Sequence, residues 1–196
     1  MDTNIPKGQL SARRSFLRGG RNLAIGGAAL AMLAGGEGIA LAASQPSEAD
    51  IDALNTILGL DHEAVAAYEI AAGSGLLSPG VVPVARLFQG HHEGHRDALI
   101  AQILKAGGKP LEAKSIEDYA VDIGAASLTN EVEVLTLAAS LEGAAVNVYI
   151  EAIAGMGTDA HARLVAQLVA DETMHWTVLT TALNERLPER ALSFGA

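Results

Sequence analysis

The sequence predicts an all-α chain that folds as an antiparallel four-helix bundle, with a long crossover between the second and third helices. Three observations predict this fold class. Apolar residues recur three and four positions apart over four long stretches, which is the periodicity of a helix with one buried face. Glycine and proline separate these stretches, and alanine and leucine dominate a hydrophobic fraction of 49%. At 196 residues the chain is long enough for one domain with a sizeable core.

Local signals set the predicted helix boundaries. Ser47 can cap the first helix, and Pro83 can lie in the first turn of the second. The periodicity then loosens, apart from a short helix that Ser115 can cap, and Thr158 or Asp159 can cap the fourth long helix. The predicted ranges are 48–72, 83–106, 130–154 and 158–185 for the long helices, 109–129 for the crossover, 48–187 for the whole bundle and 188–196 for a loose C-terminal tail.

Residues 1–42 have the layout of an export signal. Five basic residues among the first 22 precede an uncharged run over 23–34 that is rich in alanine, leucine and glycine. The segment Arg13-Arg14-Ser15-Phe16-Leu17-Arg18 resembles the twin-arginine motif, which implies a bacterial protein that the twin-arginine export machinery carries, already folded, to the periplasm. Cleavage is predicted after Ala42, which leaves 43–47 as a linker. A membrane anchor is the alternative, but the uncharged run falls short of the roughly 20 apolar residues that span a bilayer.

Composition excludes several classes of function. Acidic residues outnumber basic ones by 23 to 13, a formal net charge of −10, and cleavage after Ala42 leaves 21 acidic and 8 basic residues, a charge of −13. This balance argues against a nucleic-acid groove, which needs a basic surface. The chain has no cysteine, so disulfides, thiolate metal sites and a cysteine nucleophile are all excluded.

A Glu-x-x-His pair lies on the predicted inner face of the fourth helix. Glu172 and His175 share this face with Val165 and Leu179, whereas Asp171 is predicted to point elsewhere. A carboxylate in such an apolar stripe is costly to bury unless it is paired, protonated or bound to a cation. The i, i+3 spacing presents an oxygen and a nitrogen ligand to one ion. For this pair alone, a buried structural ion pair is the alternative.

The two halves of the chain repeat one pattern. An acidic residue precedes a tyrosine by seven positions in the first and third helices, and a histidine or glutamate precedes a histidine by three positions in the second and fourth. The pairs are Asp61 and Tyr68, Glu142 and Tyr149, His92 and His95, and Glu172 and His175. Corresponding positions are 80 or 81 residues apart, and they lie near the middle of their helices. Three carboxylates and three imidazoles are therefore predicted to converge at one level in the core.

Residues 47–185 thus resemble the ferritin-like or rubrerythrin-like four-helix bundles, in which both of these pairs recur on alternate helices. The resemblance implies a carboxylate-bridged pair of iron or manganese ions that handles ferrous iron, oxygen or peroxide. The implied ligands are Asp61, His92, His95, Glu142, Glu172 and His175. Tyr68 and Tyr149 are predicted to be core aromatics whose hydroxyls hydrogen-bond a nearby carboxylate. His91 borders the inner face, either as a neighbour that supports the ligands or as a half-buried histidine.

Two positions depart from the family pattern. Asp61 stands where glutamate is usual, and His92 stands where the second helix usually supplies a bridging glutamate. A neutral imidazole offers one lone pair to one metal ion and cannot bridge two ions as a carboxylate can. The smaller carboxylate share favours iron, copper, zinc or a single ion over manganese. Glu93 does not restore the missing carboxylate, because it is predicted to point outward with Arg96 and Asp97.

These observations predict an exported, metal-dependent oxidoreductase. The alternatives are a non-catalytic periplasmic metal-binding module and a metal-free structural or stress-related bundle. Iron is the expected cofactor, as one or two ions per chain, with manganese, zinc, copper or no metal as alternatives. The expected partners are a small-molecule or metal-ion substrate and the export machinery, with no nucleic acid. The sequence leaves open whether the bundle forms a homodimer or a larger shell.

Overall fold

A computed structural model describes residues 46–195, and within them the protein is all-helical, without a strand. The predicted signal peptide over 1–42, its cleavage site and residues 43–45 of the predicted linker lie outside the described residues. The helices are α1 (Glu48–Gly73), α2 (Val82–Lys105), α3 (Ile116–Asp122), α4 (Glu131–Gly155) and α5 (Asp159–Ala182), with a 3-10 turn at Ala125–Ser127. The predicted fold class, a helical bundle, is confirmed.

Side-chain caps begin α1 and α5 where the sequence predicts them. The hydroxyl of Ser47 accepts from the Asp50 backbone N–H at 3.1 Å, and that of Thr158 accepts from the His161 N–H at 3.2 Å. The end of α5 differs from its prediction, because the helix stops at Ala182 instead of continuing to about 185. Asn184 adopts a left-handed conformation there, with φ of 56°, which ends the helix before the proline that was expected to end it.

The four long helices pack as two hairpins. α1 packs on α2 and α4 packs on α5, while α1 also contacts α4 and α2 contacts α5. One apolar cluster joins the N-terminal halves of α1 and α5 to the C-terminal halves of α2 and α4. A second cluster joins the opposite halves of the same helices. α1 is therefore antiparallel to α2 and α4, and the core consists of two apolar layers with the middle of the bundle between them.

The connection between α2 and α4 runs from one end of the bundle to the other, because these two helices are parallel. It is fixed along α1 by polar contacts. The Asn55 side chain donates to the Lys109 carbonyl at 3.1 Å and accepts from the Leu111 N–H at 2.7 Å, and His62 Nε2 lies 3.2 Å from the Leu111 carbonyl oxygen. α3 and the 3-10 turn belong to this connection, so the predicted long crossover is present.

The C-terminal segment, predicted as a loose tail, returns to the bundle at its end. The ring of Phe194 meets Trp176 edge to face, with centroids 5.0 Å apart. The Gly195 N–H donates to the Asn147 side-chain oxygen at 2.7 Å. The tail therefore covers part of the outer surface between α4 and α5.

Among the described helices, α4 alone is long and apolar enough to cross a membrane by length and composition, with a mean hydropathy of 1.3. Its inner face carries Glu142 and Tyr149, which are both buried in the bundle. A helix in the core of a bundle can have the same length and composition.

Candidate metal centre

Each of the four long helices brings one or two ligand-type side chains to the middle of the bundle, between the two apolar layers. All six residues predicted to converge lie there, and none is more than 7% exposed. They form two groups of four, and within each group one ligand atom per residue lies within 4.8 Å of the others. The first group is Asp61, His92, His95 and Glu172, and the second is His92, Glu142, Glu172 and His175.

Glu172 links the histidines of the two halves. Its Oε1 lies 3.2 Å from His95 Nδ1, and its Oε2 lies 3.3 Å from His175 Nδ1. Although these pairs are close, none of the four atoms has a hydrogen-bond partner of acceptable geometry, and all four are buried. Buried polar atoms without a partner are rare, because each one loses its hydration without compensation. The centre therefore contains four ligand atoms with unused coordinating capacity.

His92 lies between the carboxylates of the two halves, just as Glu172 lies between the histidines. Its Nδ1 lies 3.0 Å from Asp61 Oδ1, and its Nε2 lies 3.3 Å from Glu142 Oε1. The imidazole thus has one nitrogen directed at a ligand of each group. Because a neutral imidazole has only one lone-pair nitrogen, His92 can coordinate in one group at a time while its other nitrogen donates a proton.

The two tyrosines cross between the halves. The Tyr68 hydroxyl on α1 donates to Glu142 Oε1 on α4 at 2.5 Å, and the Tyr149 hydroxyl on α4 donates to Asp61 Oδ2 on α1 at 3.2 Å. Burial, followed by the neighbouring carboxylates, raises the pKa of both phenols, so both hydroxyls stay protonated. Each tyrosine therefore holds the carboxylate of the other half in a fixed orientation.

The outer nitrogens of two histidines also have partners. His95 Nε2 lies 3.2 Å from Asp171 Oδ2, and His175 Nε2 lies 2.9 Å from His91 Nδ1, with the two rings stacked. Asp171 lies off the inner stripe, as predicted, and belongs to neither group of ligand-type residues, but it still reaches the outer nitrogen of His95. It lies about 100° around the helix from Glu172, so it reaches His95 only because α2 packs beside α5. A partner on the outer nitrogen of a metal-binding histidine fixes the ring and its tautomer.

Glu93 is half-buried and belongs to neither group of ligand-type residues among the described residues. It therefore supplies no carboxylate to the centre in place of the one missing at His92.

The electrostatics couple the histidines to the carboxylates. Burial alone would raise the pKa of Asp61 and Glu142, but the hydrogen bonds of His92 and the close approach of a second histidine to each carboxylate outweigh burial and lower both values. Burial would lower the pKa of His92 and His95, but their carboxylate partners raise both to about 10. Glu172 differs, because burial dominates and raises its pKa. Protons on the histidines thus balance the carboxylate charge, and a cation would replace them.

A second buried pair lies near the end of the bundle, and its geometry is different. His161 Nδ1 lies 3.0 Å from Asp50 Oδ2, while Asp50 Oδ1 accepts from the Gly157 N–H at 2.9 Å. Both carboxylate oxygens are satisfied, and no third ligand-type group joins them in the candidate groups of the described residues. This pair ties α1 to the turn before α5 and to α5 itself, which is a structural role.

A helical bundle with three carboxylates and three histidines in its core belongs to the class of all-α proteins whose buried side chains could hold a metal ion between the helices. The chain matches the ferritin-like domain family over residues 49–185 and belongs to that family. Its fold is similar to the crystal structure of a conserved hypothetical protein from Mycobacterium tuberculosis, at 19% identity over 74% of this chain and 96% of that chain, with a TM-score of 0.62. Among curated proteins, no match to this chain is found.

Proposed function

We propose that this protein is an exported metal-binding oxidoreductase of the ferritin-like family that holds iron in its core and handles ferrous iron, oxygen or peroxide. The observation that carries the proposal is the set of four buried, unpaired ligand atoms on His95, Glu172 and His175. Leaving such atoms unpaired costs stability, whereas a cation between them would satisfy all four. The donor set, imidazole nitrogen with carboxylate oxygen, suits iron.

The carboxylates and the histidines have different roles in the proposed site. Asp61, Glu142 and Glu172 would supply the negative charge that compensates a divalent cation in a buried site, and the histidines would complete its ligand set. Glu172 belongs to both groups and has one oxygen near a histidine of each, so it is the carboxylate that would be shared if two ions were bound. When bound, iron supplies the redox chemistry, and the protein supplies position and exclusion of water.

Export is the second part of the proposal. The twin-arginine segment at Arg13-Arg14 and the uncharged run after it support transport to the periplasm of a folded protein that has already acquired its metal. The strongly acidic charge that remains after cleavage suits a soluble periplasmic domain.

A non-catalytic metal-binding module is the second candidate. The observation that favours it is His92, because an imidazole in place of a bridging carboxylate reduces the charge available to two ions. In this version the centre holds one ion without turnover.

The test is elemental analysis of the protein after export through its own signal in a bacterial host. Glu172→Ala removes the shared carboxylate, and Glu69→Ala removes an exposed glutamate on α1 as a matched control. About two irons per chain, lost only in Glu172→Ala and accompanied by ferrous-iron or peroxide turnover, supports the oxidoreductase. About one ion without turnover supports the binding module. No metal above the Glu172→Ala level, with the helical content intact, overturns both.

A further inference from the structure

A cavity of about 190 Å³ lies between α1 and α4, directly beside the candidate metal centre. Its inner wall is formed by Tyr68, Tyr149, His92 and Glu142, which all belong to that centre or contact it. Apolar side chains from α1, α4 and the crossover form nearly all of the rest, including Leu60, Ile70, Leu76, Ile123, Leu128 and Leu141.

Alanines create this space. Ala64, Ala67 and Ala71 follow one another at helical spacing on α1, and they face Ala138 and Ala145 on α4. Larger side chains at these positions would close the gap between the two helices, as leucine and isoleucine do within the apolar layer below. The cavity is therefore encoded by a run of small residues in the sequence, at the level of the centre.

The polar groups at the inner end of the cavity already have hydrogen-bond partners and offer a ligand few further hydrogen bonds. The Tyr68 and Tyr149 hydroxyls already donate to carboxylates, and both nitrogens of His92 lie against carboxylates. Glu63 lines another part of the wall, so with Glu142 two carboxylates face the single protonated imidazole of His92, and the net charge around the cavity is negative. An anion would be repelled, and a strongly polar molecule would lose its hydration without gaining hydrogen bonds.

Size and shape restrict the occupant further. An apolar cavity of roughly 150 Å³ in another protein stays dry and binds benzene, so a volume of this order accommodates a small ring or a short alkyl chain. None of the exposed large apolar side chains of the described residues lines the cavity, whose wall is formed mostly by half-buried and buried side chains. The crossover forms one wall through Ile123, Ala125 and Leu128, and a cavity of this kind suits a small molecule better than a partner helix.

We infer that the cavity binds a small, uncharged, apolar organic molecule, an aromatic ring or a short alkyl chain, against the Tyr68 and Glu142 side of the metal centre. The inference rests on the proposed function, since it names the class of organic substrate or ligand that the same centre would take. The protein's part is to hold the molecule in an apolar pocket and to exclude anions from that side of the centre.

The test is calorimetric titration of the exported protein with toluene, and with benzoate as an anion of similar size. Ala67→Leu and Ala138→Leu fill the cavity from opposite helices, and Ala101→Leu adds the same atoms at an exposed position on α2. We expect saturable toluene binding that is about tenfold weaker or more in either filled variant, unchanged in Ala101→Leu, and absent for benzoate. A second readout is the visible spectrum of the Co²⁺-loaded protein, whose bands should shift when toluene is added.

Metal content is measured on the same samples, so the two proposals fail separately. A metal-loaded protein that binds no toluene, or binds it equally well when the cavity is filled, overturns the inference and leaves the proposed function standing. Toluene binding without any shift of the Co²⁺ bands overturns the placement against the centre. Toluene binding to a protein that takes up no metal overturns the proposed function, and with it the substrate role of the cavity.

Discussion

The two halves of this protein repeat the same helix pair, but at one position they carry opposite chemistry. In the first half His92 lies between two carboxylates, Asp61 and Glu142. In the second half Glu172 lies between two histidines, His95 and His175. Each of these residues reaches one partner in its own half and one in the other. This difference between corresponding positions places a base between two acids in one half and an acid between two bases in the other.

The contacts of His92 and of Glu172 therefore differ in whether they are satisfied by hydrogen bonds. His92 satisfies its neighbours with protons, and its contacts are hydrogen bonds of ordinary length. Glu172 leaves its neighbours unsatisfied, since neither of its oxygens has a hydrogen-bond partner. The unpaired atoms around Glu172 thus present the stronger case for a cation, whereas the contacts of His92 are already hydrogen bonds.

The largest expected effect comes from making the first half like the second. In His92→Glu a fourth carboxylate would stand between Asp61 and Glu142, and the four negative charges would repel one another unless cations compensate them. We expect the affinity for a second divalent ion to rise by roughly tenfold or more, measured by anaerobic titration with Fe²⁺. The reciprocal Glu172→His variant should lose both ions. An unchanged second-ion affinity in His92→Glu would contradict the role given to this position.

Without metal, the stability of the protein should depend on the protonation of His92 and His95. The folded-state pKa of His92 and His95, about 10, lies above the usual 6.5, so their protonation stabilises the fold fully below about pH 6.5 and is lost as the pH rises through about 10. In chelator-treated protein, the free energy of unfolding should fall by up to about 1.4 kcal/mol per pH unit for each histidine over this range.

Urea unfolding at several pH values measures this slope. His92→Gln removes one of the histidines with a raised pKa, so its slope between pH 7 and 10 should be shallower than that of the unsubstituted protein. Equal slopes would show that His92 does not hold its proton in the folded state. Metal binding should respond in the opposite direction, because a cation must displace these protons and so binds more tightly as the pH rises.

The residues that contact the outer nitrogens of His95 and His175 also differ between the halves. His95 faces the carboxylate of Asp171, whereas His175 faces the neutral ring of His91, whose pKa is lowered by burial and then by its histidine neighbours. We expect Asp171→Asn to weaken metal affinity by about 10-fold to 100-fold, and His91→Gln to weaken it less. The measurement is competition with a chelator, and Asp97→Asn, an exposed carboxylate on α2, is the matched control. An Asp171→Asn affinity equal to that of the control would remove Asp171 from the centre.

The smallest expected difference concerns the crossed tyrosines. The hydrogen bond from Tyr68 to Glu142 is 2.5 Å long, and that from Tyr149 to Asp61 is 3.2 Å. Because shorter bonds to charged acceptors are stronger, Tyr68→Phe should cost about 2 kcal/mol of unfolding free energy and Tyr149→Phe about 1 kcal/mol. Urea denaturation measures both, with Tyr119→Phe on α3 as a control outside the centre. Costs in the reverse order would refute the ranking by bond length.

Much of the fold could be predicted from the sequence, since it depends on local patterns. The capping residues Ser47 and Thr158 and the helical spacing of apolar residues specify the helices and their inner faces, and the repeat specifies which positions meet at one level. The structure places the six predicted ligands in one cluster, and their role as ligands stays a prediction. The early end of α5 was missed, because the left-handed backbone at Asn184 is not specified by local composition.

The sequence by itself determined the fold class, the family and the six residues that face one another, because helix periodicity is a property of the chain alone. Tertiary structure decided the rest. Which imidazole nitrogen faces which carboxylate, the reach of Asp171 to His95, and the space left between the alanines of α1 and α4 depend on distances and angles between helices. These distances are set by how all the side chains pack together, and no single stretch of sequence contains that information.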